Sequence, residues 1–218
     1  MKKVALIGAT GFVGSHILKE LLDRGYQVTA IARSADKITE KGENLKALSL
    51  DINNTEALAE ALKGNSVVIS AFNAGWTNPN IYDDFIKGSE SIQAAVKAAG
   101  IKRYIVIGGA GSLYIDGIQL VDGKDFPAAI KPGATAARDY LTELQKETYL
   151  DWTFFSPAIE MSPDITTGRT GKYELGTDNP VFGINKHSEL SVEDLAVVIV
   201  DELENHKFSR QRFTAGYK

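Results

Sequence analysis

The chain has 218 residues, 44% hydrophobic and 24% charged, enough to bury one substantial core and too few for two full-sized domains without a visible linker. It carries no apolar run near the roughly 18 residues that a membrane span requires. Its formal net charge of -4 comes without a dense basic run, so neither a membrane nor a nucleic acid is the expected partner. Cysteine is absent, which excludes a disulfide scaffold, a thiolate nucleophile and a cysteine-rich zinc site. His16, His187 and His206 stand far apart in sequence with no paired spacing. A histidine-based metal site would need long-range convergence, and no metal is expected. The opening MKKVALIGATG has too short an apolar stretch for a signal peptide and reads as a buried strand, in keeping with a cytoplasmic location.

Short β-branched runs recur along the chain at 3–7, 27–32, 45–50, 66–70, 103–107 and 152–156. Between them, segments 11–24, 55–62, 81–99 and 135–149 repeat apolar residues at intervals of three and four, as helices packed on a sheet do. Strands alternating with helices predict right-handed crossovers and a parallel sheet. Runs such as VALI, VVIS and YIVI are nearly continuous in apolar residues, so both sheet faces are expected to be covered. The expected fold is α/β, a doubly wound Rossmann-type sheet of order 3-2-1-4-5-6 forming one domain over 1–218. Beyond Pro157 the periodicity lapses, and 157–190 is expected to be a small substrate-side segment. Ser191-Val192-Glu193-Asp194 then predicts a capping box opening a helix to about Glu204, and 212–217 an edge strand.

Gly8-Ala9-Thr10-Gly11-Phe12-Val13-Gly14 places glycines three apart on the first strand-to-helix turn. In that context the first glycine permits a tight turn, the second lets backbone approach a pyrophosphate, and the third lets helix and strand pack closely. The N–H groups and dipole of the following helix would hold the phosphates. A dinucleotide cofactor is therefore expected. About twenty residues further on, where such a site reads the ribose, stand Arg33 and Ser34 rather than an acid. A guanidinium there suits a 2'-phosphate, so NADP is preferred over NAD. The alternative is that Arg33 is a solvated charge or stacks on adenine without choosing.

GATGFVGSHI, the arginine after the second strand, Asp51-Ile52, Ser70-Ala71-Phe72-Asn73 and IVIGGAGSL together resemble the atypical short-chain dehydrogenase/reductases. LDWTFFSPA and SVEDLA are similar to their NmrA-like and NADH-flavin reductase-like branch, and to proteins labelled NAD-dependent epimerase/dehydratase. The resemblance covers almost the whole chain. It implies that Thr10, Gly11, Phe12 and Val13 line the pyrophosphate, Asp51 and Ile52 border the adenine, and Ala71, Phe72 and Asn73 run beside the ribose. Gly108 and Gly109 would pass under the nicotinamide, with Pro157 and Ala158 near its carboxamide. Asp51 could instead cap a turn, and Phe72 could belong to the core.

The chain departs from the superfamily's Tyr-x-x-x-Lys pair, in which the lysine lowers the tyrosine's pKa for proton exchange. No tyrosine here has a lysine four residues later, and Pro127 stands four residues before Lys131. The expected chemistry is hydride transfer to a small flavin, quinone or aromatic acceptor that needs little proton help. Ser112 is the candidate to orient a substrate carbonyl, and Lys131 to bind ribose or steady negative charge; either could instead be merely a loop or surface residue. Tyr114 is a candidate substitute acid. The segment 111–132, around twenty residues without clear periodicity, reads as a lid or substrate wall built on Leu113, Tyr114, Ile115, Ile118, Leu120, Val121 and Phe126, although the same residues could pack a dimer or the core. The alternative function is a non-catalytic NAD(P)-binding sensor. An epimerase or dehydratase comes third, since only about thirty residues separate the sixth strand from the last helix, too few for a second lobe. The chain is expected to act as a monomer or homodimer.

Overall fold

A computed structural model describes residues 3–218. Its centre is one sheet built from β1 (Lys3–Ile7), β2 (Gln27–Ala32), β3 (Leu45–Ser49), β4 (Val67–Ser70), β5 (Arg103–Ile107), β8 (Asp151–Phe155), β9 (Glu174–Gly176) and β10 (Gln211–Gly216). These eight strands lie in the order β3-β2-β1-β4-β5-β8-β10-β9. Two further strands, β6 (Tyr114–Ile115) and β7 (Ile118–Gln119), form a separate hairpin. The opening segment does become a strand, at the middle of the sheet, with Val4 opposite Val28 on one side and Val67 on the other. Every pairing from β3 to β10 is parallel, and only β9 runs antiparallel.

The α-helices of the described residues are α1 (Phe12–Asp23), α2 (Thr55–Leu62), α3 (Ile81–Ala98), α4 (Lys131–Leu144) and α5 (Val192–Asn205). Side chains alternate faces along a strand, and the core divides accordingly. Val4 and Leu6 pack with Ile17, Leu18, Leu195 and Ile199 beneath α1 and α5. Ala5 and Ile7 pack with Leu58, Ile92 and Leu141 beneath α2, α3 and α4. The doubly wound architecture and the order of the first six sheet strands are as the sequence predicts. No helix of the described residues is long and apolar enough to cross a membrane.

Three expectations need correction. The C-terminal strand is not the sheet edge: β10 lies between β8 and the short β9, which forms inside the segment expected to be irregular. α4 begins at Lys131 rather than at 135, with Pro132 in its first turn, where a missing N–H costs nothing. The capping box is half made. Ser191 Oγ accepts from Asp194 N at 3.1 Å, but Ser191 N donates to Tyr217 Oη instead of to the Asp194 carboxylate. That carboxylate is fully buried and accepts from Thr170 N and Gly171 N, both at 2.8 Å, and from Tyr217 Oη at 2.7 Å. It thereby ties the irregular segment 157–190 to α5. Glu20 of α1 does the same through Arg169, which donates Nε and Nη2 to it at 2.8 Å.

Glu147 closes the turn between α4 and β8. Its Oε1 accepts from Tyr149 N at 2.6 Å and Leu150 N at 3.3 Å, and its Oε2 from Gln93 at 2.8 Å and Lys97 at 2.9 Å. Burial pushes its pKa up, yet these donors outweigh burial and hold it at about 2. Its contribution to stability is complete above the ordinary value of 4.5 and is lost as the pH falls toward about 2. Glu147→Gln is expected to lower Tm at neutral pH and to flatten the decline of Tm with acid between those limits. Thermal denaturation followed by circular dichroism across that range measures this.

Candidate nucleotide site and adjoining cavity

The parallel strands end on one side of the sheet, where open α/β sheets bind ligands. Gly8 follows β1 with a φ of +81°, a conformation open to glycine at little cost. A Cβ on Gly8 would lie 2.6 Å from the Ala71 carbonyl oxygen, and one on Gly14 would lie 2.0 Å from the Gly8 oxygen. Both positions exclude any side chain, so the end of β4 closes on the turn from one side and α1 from the other. Gly11 differs: a Cβ there would meet only the Gly8 oxygen, at 3.3 Å. Gly11 is the N-cap of α1, with no side-chain cap and no acid in the first turn. Thr10, Gly11 and Phe12 are exposed beside it, with Val13 partly buried. Free N–H donors, an open face and a positive helix end fit a pyrophosphate.

Arg33 is exposed immediately after β2, followed by Ser34, whose side chain makes no capping bond. Asp51 Oδ1 accepts from Asn53 N at 2.9 Å and Asn53 Nδ2 at 3.0 Å. The residue therefore does cap its own turn, and its Oδ2 remains for another donor. Ile52 is buried and its carbonyl accepts from Ser91.

Beyond the turn lies a cavity of about 660 Å³ at the ends of β4, β5 and β8, a volume in the range of small-molecule sites. Phe72, Asn73, Gly108, Gly109, Pro157 and Ala158 all line it, so six residues assigned by resemblance converge on one space. Phe72 lines the cavity and also belongs to the packed interior, where its ring stacks on Phe85 at 5.8 Å. Gly108 is required by packing, because a Cβ there would fall 1.9 Å from the Phe154 ring.

The segment 111–132 is a structured wall of the cavity. Asp116 and Gly117, with φ of 50° and 79°, make the tight turn joining β6 to β7. Ile115, Ile118, Leu120 and Phe126 line the cavity as expected, while Leu113 and Val121 are wholly buried behind it. Tyr114 faces elsewhere: its ring lies 5.3 Å from the Arg212 guanidinium in a separate polar pocket. Ser112 is fully buried, its Oγ donating to the Gly109 carbonyl at 2.9 Å and paired with Ser156 Oγ at 2.8 Å. In this arrangement it braces the loop beneath the cavity rather than facing a substrate carbonyl. Lys131 is exposed at the start of α4, between Ile130 and Gly133 of the cavity wall, and is not itself part of that wall.

Sequence reasoning missed Trp76, Ile130, Gly133, Ile159 and Met161, all of which line the cavity. They come from the loop after β4, the first turn of α4 and the segment after β8, which carry no shared spacing. It also missed a convergence of Glu160, His187 and Glu189, whose ligand atoms lie within 4.8 Å of one another. Glu160 and Glu189 are joined by a β-bridge, and His187 Nδ1 lies 2.8 Å from Glu160 Oε1. The carboxylate raises the histidine's pKa.

A family model described as NAD(P)H-binding matches residues 8–206. The chain is 35% identical over 215 residues to the uncharacterised Bacillus subtilis protein YwnB, covering 97% of both chains. A solved structure from Bacteroides thetaiotaomicron, provisionally named an epimerase, shares 46% identity and superposes with a TM-score of 0.91 over 99% of this chain and 97% of its own. A Streptococcus pneumoniae protein, provisionally named an NADH-flavin reductase, shares 34% identity with a TM-score of 0.84 over the full length of both chains.

Gly11 and Gly14 separate binding from folding. Gly14→Ala is expected to cost about 1–3 kcal/mol, because its methyl meets backbone that cannot yield. Gly11→Ala is expected to leave Tm within a degree or two and to weaken binding of the reduced nicotinamide dinucleotide at least tenfold. Thermal denaturation paired with NADPH titration measures both.

Proposed function

Because the chain belongs to the NAD(P)H-binding family, with a Rossmann-like oxidoreductase fold, we propose that it is an NADPH-dependent reductase of small aromatic or quinonoid acceptors. The whole chain acts as one domain, with 157–190 supplying part of its substrate side. The observation that carries this reading is the cavity itself. It adjoins the glycine turn and is walled chiefly by apolar side chains, with no tyrosine, histidine, serine or threonine among the residues lining it. A reduced nicotinamide bound there supplies the hydride.

The chain's own residues hold and exclude. The Gly8–Gly14 turn offers N–H donors to the phosphates, and the Gly108-Gly109 backbone, packed on the Phe154 ring, forms the part of the cavity wall proposed to lie under the nicotinamide. Ile115, Ile118, Phe126 and Met161 exclude water around the reacting centre. The titratable groups lining the cavity, Asp116, Lys124 and Asp125, are exposed. The proton accompanying the hydride is then drawn from solvent, which suits quinones and flavins. Ser112 enters as a positioning residue that sets the Gly109 loop, and Lys131, the first residue of α4, is proposed to bind ribose or steady developing negative charge. The same reading implies a cytoplasmic location.

Arg33 is proposed to read a 2'-phosphate, since it is exposed where the second strand meets the cofactor groove. The absence of tyrosine, histidine, serine and threonine from the cavity lining also favours the sensor reading, in which dinucleotide binds without turnover.

Two measurements test this. Oxidation of NADPH followed at 340 nm is expected to require an acceptor such as menadione or FMN, and binding without any acceptor-dependent oxidation would leave the sensor. Arg33→Asp is expected to raise KM for NADPH about tenfold or more while changing that for NADH little, the loss of one charge-assisted contact. Equal effects on both cofactors would remove the assignment.

A further inference from the structure

Trp76 is the one large aromatic at the cavity that the fold leaves mostly uncovered. It is 57% exposed, yet it lines the cavity. Its loop is fixed from within. Asn73 Oδ1 accepts from Gly75 N at 2.7 Å, Asn78 Oδ1 from Asn80 N at 2.9 Å, and Asn78 Nδ2 donates to Asp84 at 2.8 Å. Gly75, at a φ of +101°, lets the chain turn before the indole. α4 also yields space to it: a Cβ on Gly133 would come 2.9 Å from the indole Cζ3 and 2.7 Å from Ile81 Cδ1. A glycine in a first helical turn is unfavourable by itself, and here it seats the ring against the helix. A rigidly seated indole with its remaining surface open to an apolar cavity has the geometry of a stacking platform.

We infer that Trp76 is the specificity-determining residue of the acceptor site, selecting flat, conjugated acceptors by stacking on their ring. This rests on the reductase reading above. The other aromatic rings of the wall are less open, Phe85 being buried, Phe72 partly buried and stacked on it, and Phe126 partly buried, and the rest of the wall is largely aliphatic, from Ile115, Ile118, Ile130 and Ile159. Such side chains exclude water but do not distinguish a flat ring from a compact aliphatic carbonyl of similar size. Asn73 and Gln119 are the neutral polar side chains on the wall; Gln119 is engaged with Arg138 and the Ser112 carbonyl and Asn73 through its Oδ1 with Gly75 N, and an amide donor serves the oxygen of a flat ring and of an aliphatic carbonyl alike. Discrimination therefore falls to ring stacking.

The test uses menadione as the flat acceptor, diacetyl as the aliphatic one, and the intact chain. The chain has two tryptophans, and Trp152 is 3% exposed in the core, so it serves as an internal reference. Menadione is expected to quench the Trp76 share of the emission saturably, and Trp76→Phe to abolish that saturable share while folding normally. Trp76→Ala is expected to raise KM for menadione about tenfold with kcat nearly unchanged, since stacking is uniform binding, and to leave KM for diacetyl as it is. Trp76→Phe should recover most of that loss, and the Kd for NADPH should not change. Unchanged KM for menadione in Trp76→Ala, or equal quenching in wild type and Trp76→Phe, would overturn the inference while leaving the reductase intact. Saturable quenching without any NADPH oxidation would keep the stacking site and remove the reductase.

Discussion

Where β1 passes into α1, two missing Cβ atoms let three backbone segments meet. Gly14 brings the first turn of α1 against the Gly8 carbonyl, and Gly8 brings the same turn against the end of β4 at Ala71. With side chains at either position these segments would stand apart, and the N–H groups at the start of α1 would no longer face the groove at the strand ends. The parallel sheet then sets the rest. Because β4, β5 and β8 run parallel to β1, the segments that follow them emerge on the same side and wall a cavity next to the turn.

The cavity's outer side is held by charge rather than by regular structure. Segment 157–190 contains only β9 as a strand, too little to order it. Two buried carboxylates do much of that work, Asp194 through Thr170, Gly171 and Tyr217, and Glu20 through Arg169. Glu20 is held below the usual carboxylate range, chiefly by the Arg169 hydrogen bond working against burial. Each carboxylate is costly to bury alone and is stable here because it meets several donors. Arg212 of β10 plays the matching part for the opposite wall, donating to the Ser112 carbonyl and to Asp178.

Much of this was legible in the sequence, and the exceptions have physical causes. Strands buried on both faces read as continuous apolar runs, so β1, β4, β5 and β8 could be inferred, and their order followed by analogy with doubly wound sheets. β9 has three residues, two of them exposed, and short exposed strands carry no pattern. The β6-β7 hairpin did carry a signal, Asp116-Gly117, which suits a tight two-residue turn, as did Pro132 for the start of α4. Of the cavity, the residues next to strand ends were found because the resemblance ties them to a cofactor. Trp76 and Gly133 were not, since their proximity depends on how α4 packs against the loop after β4. Ser112 shows the opposite failure: a hydroxyl in a glycine-rich loop suggests chemistry, and only the pairing with Ser156 reveals it as buried.

The central claim is that a reduced nicotinamide dinucleotide spans the glycine turn with its nicotinamide in the apolar cavity. Titrating the protein into NADPH and recording the cofactor's own emission tests this most directly, because the nicotinamide is the fluorophore. Saturable binding with enhanced, blue-shifted emission is expected, as the ring passes from water to an apolar wall. Absence of binding by NADPH and NADH alike, or binding that leaves the emission as it is in water, would contradict it.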